Sequence, residues 1–209
     1  MSLSTKQKIL DASIRLFNQN GVANVRLQQI ADETGISIGN LAYHYKNKEA
    51  IVVSVYETLF EEFAAILSGY LQKPNLEDLD AQISKYFSFF HQYRFYLIDL
   101  FEIERNHPEL ITNWQRCVRK MHLQLRSRID YFTQKKLMQP EPYHGAYAAL
   151  TDSLGLTVAF WVSQQVLNGN TVNEAAFKAA VWFQIIPFLT TEGKEAFLQH
   201  IQPRLFPSN

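Results

Sequence analysis

Residues 26–51 read RLQQIADETGISIGNLAYHYKNKEAI, and this stretch decides the fold. Leu27, Ile30 and Ala31 recur at helical spacing and carry a short helix that Gly35 closes. Ser37 offers a hydroxyl cap to a further short helix reaching about His44. The turn between them, Gly35-Ile36-Ser37, needs its glycine because the first helix must end on a left-handed residue. The helix from Ile38 to His44 is too short to be stable alone, and it offers chiefly Leu41 to a core. Ser37, Gly39, Asn40, Tyr43 and His44 are left facing outward. A short helix with an unpacked face fits a major groove about 12 Å wide.

Outward from this stretch the apolar pattern is helical throughout. Ile9, Ala12, Leu16 and Phe17 mark a first helix over about residues 5–20, stopped at Asn20-Gly21. Lys48 opens a much longer helix whose stripe runs Ile51, Val55, Leu59, Phe63, Ile66 and Tyr70, ending before Lys73-Pro74. Helices follow over Leu79 to Phe90 and Phe95 to about Arg105. A long one starts at Pro108 on the stripe Leu110, Trp114, Cys117, Met121, Leu125, Ile129 and Phe132, with Pro140 and Pro142 expected to stop it. About Tyr143 to Leu167, Asn173 to about Ile186 and Glu192 to His200 complete the set, before a loose tail. The expectation is an all-α chain of nine or ten helices and no strand.

Composition agrees. Eight Gly and seven Pro in 209 residues are too few for an all-β chain, which needs a turn signal every 8–12 residues. The single cysteine, Cys117, rules out an intrachain disulfide and a thiolate zinc site, which argues for a reducing setting. No apolar run is long enough to span a bilayer and no signal peptide is apparent, so the expected location is cytoplasmic with no membrane partner. The six histidines, His44, His91, His107, His122, His144 and His200, form no HxxxH or HExxH cluster, and there is no glycine-rich phosphate loop. No catalytic residue, metal or cofactor is called for.

Charge is balanced at 20 Lys+Arg against 20 Asp+Glu, which on that count alone speaks against nucleic acid. The balance is a sum over unlike parts. Residues 1–48 hold Lys6, Lys8, Arg15, Arg26, Lys46 and Lys48 against Asp11, Asp32 and Glu33, a net of +3, so the remainder carries −3. A basic end suited to phosphate precedes an acidic body.

With its flanks the stretch resembles the DNA-binding domain of the TetR family of bacterial transcriptional regulators. The matching residues are Ile9-Leu10-Asp11-Ala12, Leu16-Phe17, Gly21, Ile30-Ala31, Gly35-Ile36-Ser37, Gly39-Asn40-Leu41, Tyr43-His44-Tyr45 and Lys48-Glu49-Ala50-Ile51. The resemblance implies a helix-turn-helix DNA-binding domain over residues 1–48, with the fourth helix beginning at 48, and a helical effector-binding and dimerisation domain over 49–209. It implies that Tyr43, His44 and Lys48 touch phosphates, with Lys46 beside them, while the third helix reads bases. An amide can bond adenine bidentately, which suits Asn40; Ile38 suits a thymine methyl, and Gly39 lets the backbone come close. Three positions depart from the family pattern. Arg26 stands where a hydroxyl usually caps the second helix, Gln28 where a base or phosphate contact is sometimes supplied, and Ala42 where a tyrosine usually precedes Tyr43.

Eight of the sixteen residues from Tyr86 to Phe101 are aromatic, where the chain average of 13% gives about two, so the segment forms a thick core or an aromatic-lined cavity. In the family the corresponding helices enclose an effector pocket, for which Phe87, Phe90, His91, Tyr93, Phe101, Trp114 and Trp161 are the candidate lining and an apolar or aromatic small molecule the expected ligand. The turns Tyr93-Arg94-Phe95-Tyr96 and Asn106-His107-Pro108-Glu109-Leu110 resemble one TetR subgroup. Asp99, Glu102, Glu104 and Arg105 read as a solvated face. Gly155, Ala159 and Ser163 are small and four apart, letting another helix approach closely, with Leu156, Phe160, Val166, Val181, Trp182 and Ile185 supplying area. They are the candidate homodimer surface, whose two-fold axis suits a palindromic operator. The expected function is a repressor released by its ligand. An effector-independent or protein-partnered DNA-binding regulator, and a helical carrier of hydrophobic ligands with impaired DNA binding, remain open beside it.

Overall fold

A computed structural model of the chain describes residues 3–68, 75–99, 105 and 108–205. Among these there are eleven α-helices and one 3-10 turn; the only strand-like pairing there is one bridge, Met138 to Leu189. The described residues belong to two compact units, Met1–Phe63 with Gln92–Trp114, and Ala64–His91 with Gln115–Asn209.

The first unit holds α1 (Thr5–Asn20), α2 (Leu27–Thr34), α3 (Ile38–His44), α4 (Lys48–Ser68) through Phe63, α6 (Arg94–Ile98) and the first turns of α7 (Pro108–Gln134). Ser4 caps α1 by accepting from the Gln7 amide at 3.2 Å. Gly35 closes α2 in the left-handed region at φ 72°, and the Ile36 amide returns to the Ala31 carbonyl at 3.0 Å. Nothing lies within 4 Å of where a Gly35 side chain would begin, so the dihedral and not crowding demands glycine. Ile9, Ala12, Phe17, Ile30, Ala31, Leu41, Ile51 and Val55 are buried. The aromatic residues of this unit pack against one another. Phe95 meets Phe17 edge-on at 5.5 Å, and Tyr96 meets Tyr56 and Trp114, each at 5.3 Å.

The second unit holds α5 (Leu76–Gln92) through His91, most of α7, α8 (Ala146–Leu167), α9 (Glu174–Ile185), a 3-10 turn (Ile186–Phe188), α10 (Thr191–His200) and α11 (Gln202–Leu205). The five α7 stripe residues in this unit, Cys117, Met121, Leu125, Ile129 and Phe132, are buried. Two clusters of buried polar groups in this core are paired. Asp80 accepts from the Lys178 ammonium at 2.6 Å and the Trp182 indole at 3.0 Å; Arg128 donates to Asp78 at 2.8 Å and to Gln82 at 2.7 Å.

Several expected boundaries move for local reasons. Helix α5 starts at Leu76, three residues early, because the Asn75 carboxamide caps it by accepting from Asp78. Helix α7 stops at Gln134, before Pro140. Lys136 turns left-handed at φ 59° and the Leu137 amide returns to Phe132. Helix α8 begins at Ala146 because Gly145 sits at φ 88°. The tail is not loose through Leu205: Pro203 falls in the first turn of α11, where it needs no amide, and Ile201 and Leu205 are buried. Helix α6 ends at Ile98, closed by Asp99, where the expected helix runs from Phe95 to about Arg105. Tyr70, residues 100–104, Phe101 among them, and Asn106 and His107 of the following turn lie outside the described residues.

Candidate nucleic-acid interface

Helix α3 is fastened by one side and bare on the other. Leu41 is completely buried, Tyr45 behind it is buried with the Lys6 ammonium 5.5 Å from its ring centre, and Ser37 caps the helix by accepting from the Asn40 amide at 3.1 Å. Burial raises the Tyr45 hydroxyl above its ordinary pKa, so the residue packs as a neutral phenol. The opposite face carries Ile38, Gly39, Asn40, Ala42 and Tyr43, all exposed, with Tyr43 86% exposed and its ring edge-on to His44 at 5.3 Å. A side chain built at Gly39 would have only the Ser37 hydroxyl nearby, at 4.0 Å. The chain's own packing therefore does not require glycine there.

The other positions singled out in the sequence surround this face or are already engaged. Lys46 is exposed and His44 half-buried. The Lys48 ammonium donates to the Ala23 carbonyl at 3.0 Å, which places it against the α1–α2 loop. The exposed Gln28 amide donates to Asp32 at 2.7 Å, one turn on, so a base contact would have to displace that bond. At Arg26 the hydroxyl cap is absent, but the Gln29 side chain accepts from the Arg26 amide at 2.8 Å, the returning half of a capping box. A guanidinium has no acceptor and supplies no forward half. The signal for this was present as a glutamine three residues into the helix.

The aromatic candidates divide. Tyr93 and Trp114 are buried in the first unit, and burial together with Glu62 raises the Tyr93 hydroxyl above its ordinary pKa. In the second unit Phe87 stacks on His91 at 5.6 Å, and both Phe87 and Trp161 lie 5.6 Å from the buried Phe177 ring. Phe90 is buried there, while Phe101 lies outside the described residues.

The residues expected to form a dimer surface divide by burial. Gly155, Ala159, Ser163, Val181, Trp182 and Ile185 are buried within the single chain. The neighbour admitted by the small residue Gly155 is His122 on α7, whose Nε2 would lie 2.2 Å from a Gly155 side-chain carbon. Of the nine, Leu156 and Phe160 are exposed and Val166 is half-buried; Leu167 and Phe183 are exposed on the same two helices. Spacing showed that a helix could approach, not which chain would supply it. Asp99 also departs from its solvated reading, being half-buried and accepting from the Val22 amide at 3.0 Å.

A capped, glycine-turned pair of short helices with one bare polar face defines a helix-turn-helix DNA-binding regulator. A family model described as "Bacterial regulatory proteins, tetR family" matches residues 9–55, and one described as "Bacterial transcriptional repressor" matches residues 56–197. The chain belongs to the TetR family of DNA-binding transcriptional regulators. It is similar to the uncharacterized HTH-type transcriptional regulator YerO of Bacillus subtilis, 34% identical over 97 residues that make up 44% of this chain and 34% of that protein. It also matches the HTH-type transcriptional regulator RutR of Escherichia coli K12, 36% identical over 70 residues, 33% of each protein. The chain thus spans about a third of the length of these two relatives. In fold it resembles a TetR-family regulator of Marinobacter aquaeolei VT8, with a TM-score of 0.82 at 23% identity over 98% of this chain and 100% of that one. A complex of SmeT with triclosan matches with a TM-score of 0.58 at 17% identity, covering 90% and 93%. These relatives are regulators, not enzymes, and among the described residues no helix is long and apolar enough to cross a membrane.

Proposed function

We propose that the chain is a repressor that binds a palindromic operator as a homodimer and is released by an apolar or aromatic small molecule. The observation that carries the DNA part is the bare face of α3, where Gly39 has open space before it and Tyr43 stands 86% exposed. A helix face that its own core does not use, at the basic end of the chain, is built for an external partner. In this reading residues 1–48 form the reading domain and residues 49–209 the effector and dimer domain. Ser37, Tyr43, His44, Lys46 and Lys48 hold phosphates, with Arg26 and Gln28 at the edge, while Ile38, Gly39 and Asn40 meet bases.

Repression is supported by the description of the model matching residues 56–197. The effector class is supported by the half-buried rings of Phe87 and Trp161 about Phe177, and by the triclosan held by SmeT. The dimer surface is assigned to Leu156, Phe160, Val166, Leu167 and Phe183 on α8 and α9.

The test is selection of duplexes from a random-sequence pool, followed by salt-titrated binding. A palindromic consensus bound by two chains, with affinity falling steeply as salt rises, is expected. Selection that yields no consensus would overturn the reading. For the effector, thermal shift with triclosan and a panel of apolar aromatics should raise the melting temperature and weaken duplex binding.

A further inference from the structure

The five-residue helix α6 is tied to α1 at both of its ends, each time by a side chain that satisfies backbone. Asn18, in the last turn of α1, uses both halves of its carboxamide. Its Nδ2 donates to the carbonyl of Gln92 at 2.7 Å, where α5 ends, and its Oδ1 accepts from the amide of Phe95 at 3.0 Å, in the first turn of α6. The returning link comes from Asp99, the residue that closes α6. Its carboxylate accepts from the amide of Val22 at 3.0 Å, just beyond the end of α1, and lies 3.9 Å from where a side chain on Gly21 would begin. Between the two links Phe17 of α1 meets Phe95 of α6 edge-on. Asn18 thus caps α6, and Asp99 ties the end of α6 to the loop that follows α1.

Helix α1 is in turn joined to the reading motif. Arg15 donates to Glu33 of α2 at 3.0 Å, and α2 leads through Gly35 into α3. A helix of five residues has too few internal hydrogen bonds to hold its own position. With its first-turn amide held by Asn18 and its closing residue, Asp99, holding the loop after α1, it is tied to α1 at both ends.

We propose that Asn18 and Asp99 are positioning residues for DNA reading: they fasten α6 to α1 and α2 as one block, so that the pose of α3 follows that of α6. The proposal rests on the reading of α3 as the groove-entering helix, and it adds the two residues that fix its approach from outside the motif. Neither touches DNA in this account.

Amide hydrogen exchange on the full-length protein tests the block without DNA. Asn18→Ala removes the acceptor of the Phe95 amide and leaves Asp99 in place; Asp99→Ala removes the acceptor of the Val22 amide and leaves Asn18 in place. If the links act together, each variant speeds exchange about tenfold at both amides, including the one whose own acceptor is intact. Faster exchange only at the amide directly deprived would mean two independent caps and overturn the proposal. So would acceleration reaching Val55 in the core of α4, which would mark general loosening. Asn18→Asp, which keeps the acceptor for Phe95 and loses the donor to Gln92, provides a milder variant should alanine prevent folding, and should show the same cross-effect at Val22.

The second arm measures affinity for the duplex selected by the wild-type protein. A fall of about tenfold in Asn18→Ala, with retention of the same consensus, is expected. Unchanged affinity overturns the positioning role. Failure of the wild-type protein to select any duplex would instead sink the reading of α3, leaving the exchange result to stand or fall separately.

Discussion

The Lys48 ammonium lies 3.0 Å from the carbonyl oxygen of Ala23, so the first residue of α4 is anchored to the loop that follows α1. The carbonyl fixes where the charge sits, and in the proposed reading that charge attracts a phosphate. Lys48→Ala should weaken binding to all duplexes alike and reduce the salt dependence of binding by about one unit of log–log slope. Salt titrations on selected and unrelated duplexes decide it. Loss confined to the selected duplex would make Lys48 a reader of sequence.

Gly39 gives a prediction in which stability and function move in opposite directions. The position is helical and nothing in the chain crowds it, so alanine is tolerated and should stabilise the domain by up to about 1 kcal/mol. If bare backbone at Gly39 lets α3 approach the groove floor, Gly39→Ala should nevertheless lower affinity for the selected duplex by about tenfold or more. Thermal unfolding and binding on the same preparation separate the two. Affinity that rises with stability would remove Gly39 from the interface.

The helix-turn-helix was legible because its signals are local. Ser37 caps α3, Gly35 closes α2 and Gly21 ends α1, each within a few residues of the element it bounds. What was not legible depends on partners distant in sequence. Asp99 looked solvated because acidic neighbours at helical spacing normally face water; its partner Val22 is 77 residues away. The small residue Gly155 of α8 signals a close approach, which His122 of α7 makes, but the choice between α7 and a second chain is not encoded in the spacing of the small residues. The aromatic run could not show that Tyr93 is committed to one core while Phe87 joins another.

Two glycines in the second unit distinguish a movable neighbour from an immovable one. A side-chain carbon at Gly193 would lie 2.0 Å from the Leu137 carbonyl oxygen, which already accepts from the Thr190 amide at 3.0 Å. That oxygen cannot yield without breaking the loop's bonds, so Gly193→Ala should cost about 3 kcal/mol. At Gly155 the clash is with the half-exposed ring of His122, which can swing outward, and Gly155→Ala should cost about 1 kcal/mol. Urea unfolding of both variants checks the order, and His122→Ala should relieve the second and leave the first unchanged.

The buried pair of Lys178 and Asp80 should respond unequally to loss of one or both partners. Asp80 also receives the Trp182 indole, so Asp80→Ala leaves an ammonium and an N–H without their acceptor and should cost about 3–5 kcal/mol. Replacing both charges with apolar residues of similar volume, Asp80→Leu with Lys178→Met, should cost markedly less than Asp80→Ala alone, because no stranded charge remains. Equal losses in the single and double variants, measured by urea unfolding, would mean that the pair's attraction and not the stranded ammonium sets the cost.

The proposed dimer surface predicts which apolar residues control assembly and which control folding. Leu156 and Phe160 on α8 and Phe183 on α9 are exposed, whereas Trp182, next to Phe183, is fully buried and donates to Asp80. Placing charge on the exposed set, as in Leu156→Asp with Phe160→Asp, should give a folded monomer by sedimentation with an unchanged helical circular dichroism spectrum. Its affinity for a palindromic duplex should fall about a hundredfold or more, because each reading domain would then bind without the gain from its linked partner. Trp182→Ala should behave in the opposite way, losing about 3–5 kcal/mol of folding stability while the folded fraction still assembles. A double aspartate variant that sediments as a dimer would move the interface away from α8. A Trp182→Ala protein that is stable but monomeric would return the interface to the residues that the sequence alone had suggested.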